Sequence, residues 1–138
     1  MESSPMSTVS LPAGLAALST RFAIDPGDWE ASGRLELRVD RYPRVSLRRG
    51  PARQIELEAR LAALPALAQE REALVDRLML RVTAGAARQI GVPVLAPDGG
   101  HLLLQAALDG EDARAFEDGL EAFLNDLDYW AAALGERS

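Results

Sequence analysis

The residues with the best potential for chemistry are the single histidine, His101, and Asp98, which stands three positions before it. A histidine works as a general base when a carboxylate orients it beside a nucleophile, and the sequence points to no such arrangement. The chain has neither cysteine nor lysine, which excludes thiolate and Schiff-base chemistry. We therefore interpret His101 as a surface residue at the exit of a turn, and we predict that the protein is not an enzyme.

A second chemical candidate is a run of carboxylates near the C-terminus. Four carboxylates that converge on the interior of a helical bundle can bind two metal ions. Such sites use a Glu-x-x-His motif, and this chain lacks that motif. On a helix, Glu117, Glu121 and Asp128 would lie away from Phe116 and Leu120 and would therefore point to water. We predict a solvated acidic face with no metal site and no cofactor. The acidic residues of this segment are Asp109, Glu111, Asp112, Glu117, Asp118, Glu121, Asp126 and Asp128.

Basic residues cluster in a different part of the chain. The 138 residues include 15 basic and 21 acidic side chains, for a net charge of -6, and every basic residue is an arginine. A nucleic-acid surface would interleave aromatic side chains for stacking, and only Tyr42 is available among these arginines. We therefore predict that they steer a protein partner and that the chain binds no nucleic acid. The clustered arginines are Arg34, Arg38, Arg41, Arg44, Arg48, Arg49, Arg53 and Arg60.

The first half of the chain is predicted to contain one helix and three strands. After Ser10, the residues Leu15, Leu18 and Phe22 recur at helical spacing, and the turn signal at residues 24–27 ends that helix. Apolar and polar residues then alternate in three short runs joined by turns, at about residues 35–39, 45–47 and 55–61. These runs predict an antiparallel meander with one solvated face.

The second half is predicted to contain a helix, a hairpin and a final helix. The helix over about 66–84 has an unusually wide apolar stripe, so either a second subunit covers one side or the helix is buried between sheet and helix. The turn Asp98-Gly99-Gly100 separates two apolar runs and predicts a hairpin. The last helix starts at Asp109 or Gly110 and ends at Gly135. The order α-β-β-β-α-β-β-α predicts an α+β fold, with a twisted antiparallel sheet packed by helices.

The boundaries of the domain follow from these elements. We predict a single domain over residues 10–135, with a disordered tail at 1–9 and a short tail at 136–138. The first ten residues carry no basic cluster of the kind that begins a signal peptide. No stretch approaches the roughly 18 apolar residues that span a membrane. We therefore predict a cytoplasmic protein that does not interact with a membrane.

Several segments carry a family resemblance. They are LPAGLAALSTRFAI (11–24), GRLELRVD (33–40), IELEARLAALP (55–65), REALVDRLMLRV (71–82), VPVLAPDGGHLLLQAAL (92–108) and FEDGLEAFLNDLDYWAAAL (116–134). Together they resemble the class I, Tir-chaperone-like proteins that escort effectors in bacterial type III secretion, over roughly residues 11–134. One departure is Leu80-Arg81-Val82-Thr83, where members often have an asparagine.

The resemblance implies a non-enzymatic, cytosolic homodimer, or a heterodimer with a related chaperone, that keeps one secreted effector or regulator export-competent. It implies that the client's N-terminal segment wraps around the dimer in extended form, by strand addition and apolar pockets. The implied client-binding residues are Leu15, Leu18, Phe22, Leu35, Leu37, Val45 and Leu47. The implied dimer interface consists of Leu74, Leu78, Met79, Val82, Val92 and Val94.

Alternatives to this interpretation stay open at this stage. Each of the implied contact residues could instead fill the core. A small immunity or sensor-type binding protein of the same fold would also be acidic, free of cysteine and catalytically silent. An enzyme that uses His101 and Asp98 is the least favoured hypothesis.

Overall fold

The computed structural model describes residues 11–85 and 90–134, together with their side chains except those of 81–85. The tails predicted at 1–9 and 136–138 lie outside the described residues, as does the side chain of Val82. A short 3-10 turn at Pro51–Arg53 joins the second and third strands. The helices are α1 (Ala13–Leu18), α2 (Pro26–Ser32), α3 (Ala68–Gly85) and α4 (Ala113–Ala133). The strands are β1 (Arg34–Leu37), β2 (Val45–Arg49), β3 (Gln54–Ala63), β4 (Val92–Leu95) and β5 (His101–Asp109).

The strands of the described chain form one antiparallel sheet in the order β1-β2-β3-β5-β4. The order places β1 at one edge and β4 at the other. The first three strands follow one another as a meander, and β4 and β5 form a hairpin around Asp98, Gly99 and Gly100. This architecture confirms the predicted α+β class, the meander and the hairpin.

The helix α2 is an element that the sequence prediction missed. The sequence predicts a turn at residues 24–27, whereas Pro26 begins a helix there. Asp25 caps this helix by accepting the Gly27 N–H at 2.8 Å, and Pro26 occupies a first-turn position that needs no N–H donor. Gly33 ends the helix in the left-handed conformation, with φ 68°. Trp29 is buried, so α2 is held to the rest of the fold by its aromatic side chain.

One face of the sheet forms the core. Leu47 lies opposite Leu57, and Leu57 lies opposite Ala106 on the next strand. The helix α4 packs on β3 and β5, and α1 packs on α4. The apolar stripe of α4 supplies the largest fully buried side chains. The buried apolar residues of α4 are Phe116, Leu120, Phe123, Leu127 and Trp130.

Candidate protein-binding surfaces

Most of the predicted client-binding residues lie in the core. Their side chains are at most 2% exposed, so in this conformation they support the fold and do not line a groove. Spacing and apolarity, which selected these residues in the sequence, are shared by core and surface positions. The buried members of the set are Leu15, Leu18, Leu37, Val45 and Leu47.

The other two predicted client-binding residues, Phe22 and Leu35, are half-buried at the margin of the core. Leu35 lines a cavity of about 410 Å³ between α2 and β1, together with Ala23 and Ala31. We call this cavity the α2–β1 groove. Its polar lining consists of Asp25, Asp28, Ser32, Arg34 and Glu36. The groove therefore combines small apolar side chains with a charged rim, next to an edge of the sheet.

The β1 edge offers backbone groups for pairing. Arg49 donates its N–H to the Gly33 carbonyl, so the alternation along β1 turns the N–H and C=O of Arg34 and Glu36 toward the open edge. The Ser32 hydroxyl accepts the Arg34 N–H at 3.2 Å. Its single proton has the Asp28 carbonyl as its nearer acceptor, at 2.8 Å, and the Arg34 carbonyl as a longer one, at 3.3 Å. Within the described chain the backbone of Glu36 is left available for a further strand.

The β4 edge is different, because a proline stands in the middle of the strand. Ala96 donates its N–H to the His101 carbonyl, and the same alternation turns Pro93 and Leu95 outward. Pro93 has no N–H, so this edge lacks one donor that an added strand would need. The two edges of the sheet are therefore unequal, and the β4 edge is the less suitable one for strand addition.

The helix α3 is apolar on two sides. Leu74 and Leu78 are buried in the core, whereas Met79 and Leu80 are 57% and 72% exposed. The interpretation that this helix is buried on both sides within the chain is therefore wrong for residues 68–80, since one of its apolar sides is exposed. That a second subunit covers the exposed side stays a prediction. Large apolar side chains are also exposed beside and within β4. We call the exposed residues the α3–β4 apolar residues: Leu67, Val75, Met79, Leu80, Ile90, Val92 and Leu95.

The residues of the predicted dimer interface fall into an accessible group and a buried group. Met79 and Val92 belong to the α3–β4 apolar residues, and Val94 is half-buried. Leu74 and Leu78 are buried within the chain itself, which leaves little of either side chain for a second copy.

The outer face of the sheet carries paired charges. Arg44 binds Glu36 across β1 and β2 at 3.1 Å, and Arg48 Nε donates to Glu56 across β2 and β3 at 3.0 Å. Val92 lines a cavity of about 450 Å³ on this face, beside Arg48 and Glu56. The arginine-rich segment thus neutralises part of its charge within the sheet.

One carboxylate of α4, Asp126, does not lie on a solvated face, so that part of the sequence prediction is wrong. Asp126 is buried, and its Oδ2 accepts the N–H groups of Ile90 at 2.9 Å and Gly91 at 2.8 Å. Burial raises the pKa of Asp126, and the two N–H groups oppose that shift by stabilising the charged form. Within the described residues it is the buried carboxylate of the protein.

Asp128 lies in a second network, two residues further along α4. It accepts the hydroxyl proton of Tyr42 at 2.8 Å, and Arg41 Nη2 donates to its two oxygens at 3.0 and 3.1 Å. The Arg41 guanidinium also lies over the Tyr42 ring, 4.6 Å from its centroid. The hydrogen bond to Asp128 raises the pKa of Tyr42, because the carboxylate stabilises the protonated phenol. The network fastens the loop between β1 and β2 to α4.

His101 lies at the start of β5, beside the hairpin turn. Its Nδ1 is 3.3 Å from Asp98 Oδ2, and the Gly100 N–H donates to the other oxygen of Asp98 at 2.7 Å. This backbone hydrogen bond lowers the pKa of Asp98. The contacts are those of a turn. Among residues 11–85 and 90–134, no group of three acidic or histidine side chains is placed to bind a metal ion, and no helix is long and apolar enough to span a membrane.

Comparison with solved structures finds the same fold in chains of several protein complexes, two of which are described as chaperone complexes. A chain of the ExsC–ExsE complex has a TM-score of 0.58 at 20% identity, covering 75% of this protein and 77% of that chain. A chain of the HopA1–SchA chaperone–effector complex has a TM-score of 0.57 at 14% identity, covering 94% and 99%. The Yersinia pestis structure of the type III secretion chaperone SycH with a fragment of YscM2 gives a TM-score of 0.54 at 18% identity, covering 88% and 96%.

The sequence defines the family more sharply than these distant structures do. Residues 15–131 match the model of the Tir chaperone protein (CesT) family, and this match spans most of the chain. The protein therefore belongs to the Tir chaperone protein (CesT) family, as the resemblance of its segments indicated. None of the curated protein sequences matches it.

Proposed function

We propose that the protein is a type III secretion chaperone that binds the N-terminal segment of a secreted effector or regulator in extended form and keeps it soluble and export-competent. In this proposal it acts in the cytoplasm and catalyses no reaction. The observation that carries the proposal is the open β1 edge at Glu36 in a protein of the Tir chaperone family. An added strand recognises an extended segment through its main chain, and neighbouring pockets select its side chains.

The α2–β1 groove supplies such a pocket beside the open edge. Leu35 is half-buried and lines the groove together with Ala23 and Ala31, whose small side chains leave space beside it. A client side chain that fills the groove would bury apolar surface against Leu35 and would place the client backbone next to Glu36. The two contributions are complementary, since hydrogen bonds set the register and the pocket selects an apolar residue. Phe22 is a further half-buried contact in this proposal.

The α3–β4 apolar residues are proposed to contact a second copy of the chain. Among the residues that the structure describes, seven large apolar side chains are exposed on and beside α3 and β4, and exposed apolar surface that forms one patch marks an interaction site. Because Pro93 removes a donor from the outer edge of β4, this contact is proposed to form through side chains and not through a sheet that continues across the two copies. Met79 and Val92, at 57% and 59% exposure, are its proposed centre.

Co-expression tests the proposal. The chain is co-expressed with the N-terminal segment of the secreted protein encoded by the neighbouring gene, and the solution mass and protease sensitivity of the complex are measured. We expect a soluble complex in which two copies of the chain protect one client segment. A strictly monomeric chain that binds no such segment would overturn the proposal. A complex with a neighbouring toxin would identify an immunity protein instead.

A matched pair of proline variants locates the pairing edge. Glu36→Pro removes the N–H donor at the open β1 edge, and Leu95→Pro removes an outward N–H from β4, whose neighbour Pro93 already lacks one. We expect client affinity to fall at least about tenfold in Glu36→Pro, which corresponds to the loss of about one backbone hydrogen bond and of the register that it sets. Leu95→Pro leaves the β1 edge intact, so it should lose much less client affinity than Glu36→Pro.

A further inference from the structure

Two carboxylates of α4 hold the loops next to the two edges of the sheet. Asp126 accepts the N–H groups of Ile90 and Gly91, and Gly91 directly precedes the edge strand β4. Asp128 accepts hydrogen bonds from Arg41 and Tyr42, which lie in the loop that leaves the opposite edge strand, β1. One short stretch of a single helix is therefore bonded to the surroundings of both edges.

The two carboxylates point to different sides of the helix. Residues two positions apart are separated by about 200° around a helix axis. Leu127 between them is 3% exposed and Trp130 is 1% exposed, so this part of α4 is packed firmly into the core. A shift of α4 toward one side would shorten the hydrogen bonds on that side and lengthen those on the other side.

Ile90 and Gly91 are held between Asp126 of α4 and strand β5. A Cβ at Gly91 would lie 2.8 Å from Cγ of Leu104, so the backbone there lies directly against β5. Asp126 itself is 6% exposed, and burying a carboxylate costs free energy that an apolar side chain would avoid. Its Oδ2 accepts two adjacent backbone N–H groups, so the position of this carboxylate and the position of Ile90 and Gly91 are tied to each other.

We propose that α4 couples the two edges of the sheet. Asp126 is the positioning residue for Ile90 and Gly91 beside β4, and Asp128 is the positioning residue for the loop that follows β1. A change at the loop of Arg41 and Tyr42 then alters the position of Ile90 and Gly91, and the reverse holds equally, since coupling between sites is reciprocal. The consequence for function rests on the proposed function: if β1 binds the client and β4 faces a second copy, binding at one affects binding at the other.

Amide hydrogen exchange, resolved by residue in the full chain without any client, tests the coupling. In Arg41→Ala/Tyr42→Phe we expect the Ile90 and Gly91 amides to exchange at least about fivefold faster than in the parent. The matched control is Arg44→Ala, which breaks the ion pair with Glu36 but removes no hydrogen bond to α4 within the described residues. It should leave the two amides unchanged.

The reverse experiment measures amide exchange in the loop between β1 and β2. Asp126→Asn should speed exchange of the Tyr42 amide, which donates to the Val39 carbonyl at 2.9 Å. The Leu57 amide in the core reports global unfolding in every variant, and Tyr42→Phe alone serves if the double variant does not fold. Exchange at Ile90 and Gly91 that matches the Arg44→Ala control would overturn the coupling. The exchange experiments contain no client, so they test the coupling alone. A failure to bind a client in the co-expression experiment would contradict only the proposed function.

Discussion

Gly14 of α1 lies against Phe116 of α4 so closely that a Cβ at Gly14 would be 2.6 Å from Cγ of the ring. The Gly14 N–H also donates to the Gly110 carbonyl at 2.8 Å, just before α4 begins. A side chain at this position would separate the two helices, so α1 docks on α4 through its own backbone. This close approach carries Leu15 and Leu18 into the core, where neither is accessible.

The first prediction follows from that contact. Gly14→Ala should lower the free energy of unfolding by about 1–3 kcal/mol, because the added methyl group overpacks the Phe116 contact. Chemical denaturation measures this difference. The control is Gly100→Ala, where the nearest atom to an added Cβ is Asp98 Oδ1 at 3.6 Å. A Gly14→Ala protein as stable as this control would contradict the rigid packing of α1.

The strands were predictable from the sequence because their signal is local. Leu35 and Leu37, like Ile55 and Leu57, alternate with charged residues, and the period of two defines both the element and its buried face. The helix α2 was missed because Pro26 and Gly27 are common in turns and are also common in the first turn of a helix. The buried Trp29 distinguishes the two, and its burial depends on residues distant in sequence.

The candidate surfaces were less predictable than the fold. An apolar residue such as Leu47 has the same spacing whether it fills the core or faces a client, so the sequence could not separate it from Leu35. The hydrogen bonds of Asp126 and Asp128 were not predictable either, since their partners lie on loops far away in the chain. Only the assembled fold shows that Asp126 leaves the solvated face of α4.

The second prediction separates core from surface among the client-binding residues. Leu47→Ala should lower the free energy of unfolding by about 2–5 kcal/mol, because it leaves a cavity in a fully buried site. Leu35→Ala, at a half-buried site, should cost roughly 1 kcal/mol. At equal concentrations of folded protein, Leu35→Ala should bind the client more weakly and Leu47→Ala should bind it normally. The opposite order of client affinities would contradict the α2–β1 groove as the client pocket.

The third prediction concerns self-association. Met79→Glu and Val92→Glu each place a charge among the α3–β4 apolar residues and should weaken the dimer at least about tenfold. Analytical ultracentrifugation over a range of concentrations measures the dissociation constant. Ala132→Glu, at an exposed position of α4, is the matched control for the added charge. Unchanged association in both variants would mean that a second copy docks elsewhere.

The fourth prediction uses the raised pKa of Tyr42. Since the hydrogen bond to Asp128 is the largest cause of the shift, Asp128→Asn should bring this pKa down toward the ordinary value of tyrosine, about 10. Ultraviolet titration of the phenolate measures it, in a Tyr129→Phe background that removes the second of the two tyrosines. If the pKa of Tyr42 does not change after the Asp128→Asn substitution, the hydrogen bond between Tyr42 and Asp128 does not form in solution.

The fifth prediction uses the pH dependence of folding at Asp126. Burial raises the pKa of this carboxyl group in the folded state above its value in the unfolded chain. The folded state therefore binds the proton more tightly, so Asp126 contributes most to stability at acidic pH, and this contribution is lost as pH rises through the folded pKa.

Asp126→Asn cannot titrate, and comparison with the parent isolates the effect. The free energy of unfolding of the parent minus that of Asp126→Asn should fall as pH is raised from about 3 to 7, because only the parent must bury a charge at the higher pH. Urea denaturation of both proteins across this range measures the difference. Asp118→Asn, which removes an exposed carboxylate from the same helix, controls for the change in net charge. A difference that rises with pH would mean that the N–H groups of Ile90 and Gly91 stabilise the charge more than burial destabilises it.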